Sequence, residues 1–254
     1  PAPAGYIEGL RALCDATGAL LILDEIQTGF GRTGRLFACE HSGVVPDLMT
    51  LAKSIGGGVY PNAALLWRDV EPLRAFVRAN PEFHRTTGGG ELACLTSLAV
   101  IDEIMDRRLW ENAAARGEEL RAGLDAVRRE HPRIVREVRG LGLMVGIEYI
   151  HEFLGPLMSD GLARRGVFAA YSGNAPQVMR FMVPLTITED EVRTLLEAIR
   201  GAVEDMGRIL PLALPAARIP ALLRLLNNDR VQTRLFGALR SIEDAVGRLR
   251  RRRG

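Results

Sequence analysis

Near the start of the chain, apolar residues recur at helical spacing. In GYIEGLRALCDATG they are Ile7, Leu10, Leu13 and Cys14, and the run ends at Gly18; this predicts a helix with a glycine stop. The next run, ALLILDE, is short and continuously apolar up to Asp24, the pattern of a buried parallel strand. Helix followed by strand is the grammar of an α/β sheet. PDLMTLAK and NAALLWR predict two more short strands, and glycine-rich loops interrupt the pattern at QTGFGRTGR and SIGGGVYP. From ELAC to REHP the chain reads as helix over a long stretch, with Leu120, Leu124 and Val127 on one face. GLGLMVGIEYI predicts a strand entered through glycines, and MRFMVPLTIT another, interrupted by Pro184. Thr188 followed by Glu191 has the spacing of a helix-capping box.

This pattern suggests three regions. Residues 1–105 alternate helix and strand and form part of a large domain. Residues 106–207 turn to long helices and then strands, a smaller α+β domain. Residues 208–254 hold a proline-containing linker and an amphipathic helical extension whose polar face carries arginines. The chain opens on PAPAG, without methionine, with the α/β pattern already running. The expectation is a portion of a longer protein.

Composition narrows the classes. The 254 residues are 47% hydrophobic and 25% charged, as in an ordinary globular protein. The formal net charge of +2 gives no broad nucleic-acid signal, although the chain ends on the basic run RLRRRRG. No apolar run approaches the length that spans a bilayer. Cys14, Cys39 and Cys94 are scattered without CxxC spacing, which argues against a disulfide framework or zinc site and fits a cytoplasmic protein. One feature is unusual. Lysine plus arginine total 33, and Lys53 is the one lysine among them.

Lysine differs from arginine in a way that matters for chemistry. A desolvated amine can lose its proton near neutral pH and attack a carbonyl; guanidinium cannot. Chance survival of a single lysine is the plain alternative. Asp24 strengthens the chemical reading, because it ends a parallel strand at the sheet edge where α/β folds bind ligands. A carboxylate there can pair with a pyridinium nitrogen and keep the ring electron-withdrawing; otherwise it caps the following turn. LLILDE also resembles the magnesium-binding strand of a nucleotide hydrolase. The phosphate-loop pattern would then need glycines at 47 and 52, and the chain has Asp47 and Ala52.

Taken together, LLILDEIQTGFGRTGRLFACEHSGVVPDLMTLAKSIGGG resembles the signature of the class III aminotransferases, pyridoxal-phosphate enzymes of fold type I. HRTTGGGELAC, VREVRGLGLMVGIEY and RFMVPLTITEDEV resemble further segments of that family in the same order, over roughly residues 1–205. The resemblance implies an α/β fold with a central, mostly parallel sheet and a smaller C-terminal α+β domain. It implies that Lys53 is the Schiff-base lysine and proton shuttle, that Asp24 pairs with the pyridinium nitrogen, and that Gln27 lies near the cofactor's phenolic oxygen. A threonine in this family reaches the neighbouring subunit's cofactor phosphate. Counting back from ELAC selects Thr86 and counting forward from His84 selects Thr87, with Thr86 preferred. Gly88 and Gly89 would let backbone amides approach an anion. Arg180 would read a substrate carboxylate, although Val183 and Pro184 stand where relatives have two prolines.

Other residues invite plainer readings. His41 and His84 lack metal-ligand spacing. Glu25 and Glu40 suit local loop or salt-bridge roles, Cys94 a core position, and Arg32 and Arg35 an interface or solvent. The expected activity is transfer of an amino group from an amine, diamine or ω-amino acid to a 2-oxo acid, in a cytoplasmic homodimer with a shared active site and no nucleic-acid or membrane partner. The family's first half, which supplies the phosphate-gripping loop and the ring-stacking aromatic, is not in this sequence. An inactive interaction module is therefore the alternative, as is an aminomutase or decarboxylase of the same family. YSGNAPQVMRF is similar to diamine- and ornithine-type relatives.

Overall fold

A computed structural model describes residues 2–81 and 90–217. The chain forms two compact units. The first takes the chain up to Asp125, with Val138–Gly146 and Phe181–Thr194; the second takes Ala126–Glu137, Ile147–Arg180 and the chain from Leu195.

In the first unit, helix α1 (Tyr6–Thr17) stops where Gly18 adopts a left-handed conformation, φ 72°, which costs glycine little. Strands β1 (Ile22–Asp24), β2 (Leu48–Leu51) and β3 (Ala64–Trp67) form a sheet in that order. β1 and β2 run parallel, with Asp24 opposite Thr50; β2 and β3 run antiparallel. Asp47 pins these elements at their shared end. It accepts from the Leu21 N–H at 2.8 Å, from Arg11 of α1 at 2.7 Å and from Arg68 at 3.1 Å. Burial alone would raise the Asp47 carboxyl, but the Leu21 amide and the two guanidiniums together hold it below the ordinary carboxylate range.

The sequence predicts β1 as a buried strand, and the structure corrects this. Leu21 is buried, but Ile22 is more than half exposed, as are Leu92, Leu95 and Leu98 along α3 (Glu91–Asp106). A continuous apolar run reports that both faces favour cover; it cannot report which face receives it within this chain.

Helix α2 (Glu71–Ala79) follows β3. Helices α3 and α4 (Leu109–Glu130) are separated by Arg107 and Arg108, and Arg108 takes φ 48°. The core of this unit gathers Phe30, Met49, Leu51, Ile55, Ile104 and Leu109. Leu120, Leu124 and Val127 are buried as their spacing predicts. Two glycines allow backbones to meet. A Cβ on Gly117 of α4 would lie 2.1 Å from the Gly142 carbonyl, and one on Gly142 would lie 2.4 Å from the Thr33 backbone. The GRTG loop is thereby seated against the turn between β4 (Val135–Leu141) and β5 (Met144–Tyr149). Arg32 reinforces this seating, donating to the Val183 and Leu143 carbonyls, while its own carbonyl accepts from the Leu143 N–H at 2.9 Å. Arg32 therefore turns inward rather than toward solvent or an interface, and burial lowers its pKa. Arg35 is exposed.

The second sheet has the order β4-β5-β7-β6, with β6 (Ala170–Ser172) antiparallel to β7 (Ala175–Phe181). β7 ends before Val183–Pro184, since proline has no N–H to give a ladder. Around α5 (Leu154–Ala163), Tyr149, Phe153, Met158, Leu162, Met179 and Ile199 are fully buried. Helix α6 (Glu189–Ala217) opens on the predicted capping box: the Thr188 N–H donates to Glu191 at 2.8 Å, and the Glu191 N–H donates to the Thr188 hydroxyl at 3.3 Å. The backbone of α6 continues beyond position 208 to Ala217.

Candidate active site

The C-terminal edge of the parallel pair β1/β2 carries the residues that sequence chemistry singles out. Asp24 is the last residue of β1. Its Oδ1 accepts from the Ile26 N–H at 2.9 Å and from the Thr50 hydroxyl at 3.2 Å. Asp24 thus caps the turn after its strand with one oxygen, while Oδ2 has no hydrogen bond to another described residue. The Glu25 N–H donates to the Thr50 carbonyl at 3.0 Å, so β2 holds both residues of the turn. The side chain of Asp24 is exposed rather than buried.

Lys53 lies two residues beyond the end of β2, at the start of a short 3₁₀ turn, Lys53–Gly56. Its φ is +50°. A non-glycine residue in the left-handed region costs about 1–3 kcal/mol, so the surrounding structure must hold it there. That structure is visible. Ile55 and Gly56 of the turn are buried, and α3 packs on it. Gly57 and Gly58 take φ 59° and 73°, and a Cβ on Gly57 would come within 2.7 Å of Val100 on α3. Asn62 then ties the exit of the loop to α3, donating to Ser97 at 2.7 Å and to the Ala93 carbonyl at 3.3 Å. The Lys53 ammonium is exposed and makes no ion pair or hydrogen bond to another described residue.

Between these two positions, the loop after β1 is anchored by Glu25, which is 3% exposed. One oxygen accepts from the Cys39 N–H at 2.8 Å and the other from the Thr28 hydroxyl. Glu25 is therefore a buried loop anchor whose partners are an amide and a hydroxyl rather than a cation. Glu40 acts locally as expected, accepting from the Phe37 N–H at 3.1 Å. His41 meets the Thr33 carbonyl at 3.1 Å. Gln27, in the same loop, is half-buried, and its side chain has no polar partner among the described residues.

The remaining candidates fall elsewhere. Thr86 and Thr87, with His84, Gly88 and Gly89, lie outside the described residues. Arg180 is on β7, opposite Ala170 of β6, in the second unit; it is exposed and makes no ion pair with another described residue. Cys94 is exposed on α3, not a core residue as its apolar neighbours suggest; its flanking leucines are exposed with it. No group of His, Cys, Asp and Glu among the described residues has the arrangement of a metal site. Sequence reasoning missed Thr50 and Glu25 as site-shaping residues. Thr50 had one readable signal: it falls level with Asp24 when the two strands are aligned in parallel.

The donor set at the β1/β2 edge is an amine without a partner among the described residues, a carboxylate with one oxygen uncommitted to any of them, and an amide. These are the groups that an aldehyde-bearing, nitrogen-containing aromatic cofactor needs: a nucleophile for the aldehyde, an anion for the ring nitrogen and a hydrogen-bonding partner for a ring oxygen. Residues 1–203 match the family Aminotransferase class-III. The chain belongs to the class III aminotransferases. It is 40% identical over 210 residues to a putrescine aminotransferase from Pectobacterium atrosepticum, an alignment covering 82% of this chain and 44% of the relative. Among solved structures it is similar to ornithine aminotransferase from Toxoplasma gondii, with 33% identity, a TM-score of 0.72 and coverage of 81% of this chain and 48% of the other; that structure shows partial occupancy of pyridoxal phosphate at its active site. A transaminase from the marine bacterium Virgibacillus has 30% identity and a TM-score of 0.76, with coverage of 82% and 50%. The fold is accordingly that of the fold type I enzymes. The chain spans about half the length of the relatives it matches.

Proposed function

We propose that this chain carries the lysine-bearing part of a pyridoxal 5'-phosphate-dependent aminotransferase that moves an amino group from an amine, diamine or ω-amino acid to a 2-oxo acid. The observation that carries the reading is the β1/β2 edge: among the described residues Lys53 has no partner, and it lies beside a strand end where Asp24 keeps one carboxylate oxygen uncommitted to any of them. The likeness to putrescine and ornithine aminotransferases supports the amine or ω-amino class of donor.

Bound there, pyridoxal phosphate supplies an aldehyde carbon and a ring that withdraws electrons from the substrate. The protein's part is the following. Lys53 would hold the cofactor through its Nζ and would serve as the base for the proton on the amine-bearing carbon of the substrate. Asp24 would hold the ring nitrogen, keeping a proton there. Gln27 hydrogen-bonds the ring's phenolic oxygen. Arg180 binds the carboxylate of an amino-acid or 2-oxo-acid substrate, for which its planar fork is suited. Thr86, in preference to Thr87, meets the cofactor phosphate of a second subunit. This implies a homodimer with shared sites, which we place in the cytoplasm. No described helix is long and apolar enough to cross a membrane.

The test uses the chemistry of a single lysine. The chain is incubated with pyridoxal phosphate, reduced with borohydride and digested; mass spectrometry is expected to find the adduct on Lys53 and none in Lys53→Ala. Absence of that adduct would sink the cofactor assignment. A panel of diamines, ω-amino acids and α-amino acids with a 2-oxo acid then reads the donor class. A second reading is binding without turnover, in which the chain serves as an interaction module. The exposed Ile22, Leu92, Leu95 and Leu98 favour it, and an adduct without amino transfer would support it.

A further inference from the structure

We infer that Thr50 is a positioning residue that aims the Asp24 carboxylate, locking Oδ1 to the protein so that Oδ2 is presented to the ring nitrogen of the cofactor. The inference rests on the reading above and adds to it a residue to which the resemblance assigns no role. Thr50 stands level with Asp24 on the adjacent parallel strand. Its hydroxyl donates to Oδ1 at 3.2 Å, and the Ile26 N–H donates to the same oxygen at 2.9 Å. Both donors converge on one oxygen, and the other is left without a described partner.

An exposed aspartate held only by its turn amide keeps freedom about its side-chain torsions. A second donor, from a different strand, removes that freedom. Thr50 is well placed for this because its own backbone is held from two sides: its carbonyl accepts from Glu25, and it pairs with Leu65 of β3. Its branched Cβ further limits its rotamers. Thr50 touches neither substrate nor cofactor in this role; it acts through Asp24.

The experiment compares two ligands on the 254-residue chain. One is pyridoxal phosphate, and the other is its analogue with a ring carbon in place of the ring nitrogen. Thr50→Val keeps the shape and the strand preference while deleting the donor. Thr50→Ser restores the hydroxyl, and Thr50→Ala serves as a second deletion should the valine variant not fold. Loss of one hydrogen bond to a charged group predicts affinity for pyridoxal phosphate about 10-fold weaker in Thr50→Val, unchanged affinity for the analogue, and recovery in Thr50→Ser. With ¹⁵N in the ring, the bound cofactor's nitrogen signal is expected to move toward the unprotonated position in Thr50→Val and back in Thr50→Ser. Equal weakening for both ligands would assign Thr50 a merely structural role and overturn the inference alone, as would an unchanged affinity and nitrogen signal. Failure of the wild-type chain to bind either ligand would overturn the cofactor assignment, and this inference with it.

Discussion

The backbone N–H of Cys39 donates to the buried carboxylate of Glu25 across 2.8 Å, closing the loop that begins at the end of β1. The Thr28 hydroxyl occupies the other carboxylate oxygen. This one side chain ties together a glycine-rich segment that also sends Phe30 into the core, and it lies next in sequence to Asp24. A first prediction follows from its geometry. Glu25→Ala leaves the Cys39 amide buried without its acceptor and should cost about 2 kcal/mol. Glu25→Gln retains an acceptor oxygen and a partner for Thr28, and should cost less. Urea denaturation of the two variants checks the order; equal stabilities would contradict the anchoring role.

Cys39 itself should be unreactive at neutral pH. Burial, and after it the nearby Glu25 charge, pushes its thiol up to about 11. The thiolate is the nucleophile, so alkylation of Cys39 in the folded chain should be very slow at pH 8 and accelerate as the pH approaches 11. Cys94, which is exposed, should be alkylated first. Peptide mapping after brief iodoacetamide treatment reads both. In Glu25→Gln, Cys39 should react somewhat faster but still after Cys94, because burial is the larger cause.

Asp47 predicts an acid dependence. Its folded-state pKa lies below the ordinary value, so the unfolded chain binds its proton more readily. The stability it contributes is present above pH 4 or so and is lost as the pH falls through the folded-state pKa. Asp47→Asn weakens the ties to Leu21, Arg11 and Arg68 and should cost about 1–2 kcal/mol near pH 7. The gap between wild type and variant should shrink below about pH 4. Thermal melts across pH 3 to 7 test this, and a gap that widens toward acid would reverse the assignment.

Lys53 predicts a separation of strain from chemistry. At φ +50°, glycine is favoured over any residue with a Cβ. Lys53→Gly should therefore be more stable than Lys53→Ala by about 1 kcal/mol, and neither should be labelled by pyridoxal phosphate and borohydride. Chemical denaturation of the two variants provides the measurement. If the alanine variant is as stable as the glycine one, the turn relaxes and stores no strain.

Much of the architecture was legible in local pattern. The stop at Gly18, the strand end at Asp24, the buried stripe of Leu120, Leu124 and Val127 and the box of Thr188 with Glu191 depend on neighbours within a turn or two of the chain. The identity of Lys53 and Asp24 as candidates was legible too, because it depends on what an amine and a carboxylate can do. Residue type and spacing carry that information.

Other features rest on groups that meet from distant parts of the chain. Arg32 reads as a surface arginine until the Val183 carbonyl, 151 residues away, comes to meet it. Glu25 reads as a loop charge until folding buries it against the Cys39 amide. Cys94 and Ile22 have apolar neighbours in sequence, yet exposure depends on what packs over them, which periodicity does not encode. Thr50 acquires a role only through the parallel register that sets it beside Asp24. Periodicity and propensity act over a few residues and so leave a trace in a linear string. Hydrogen bonds between strands, desolvation and left-handed strain arise only when remote segments are brought into contact, and so they first appear in three dimensions.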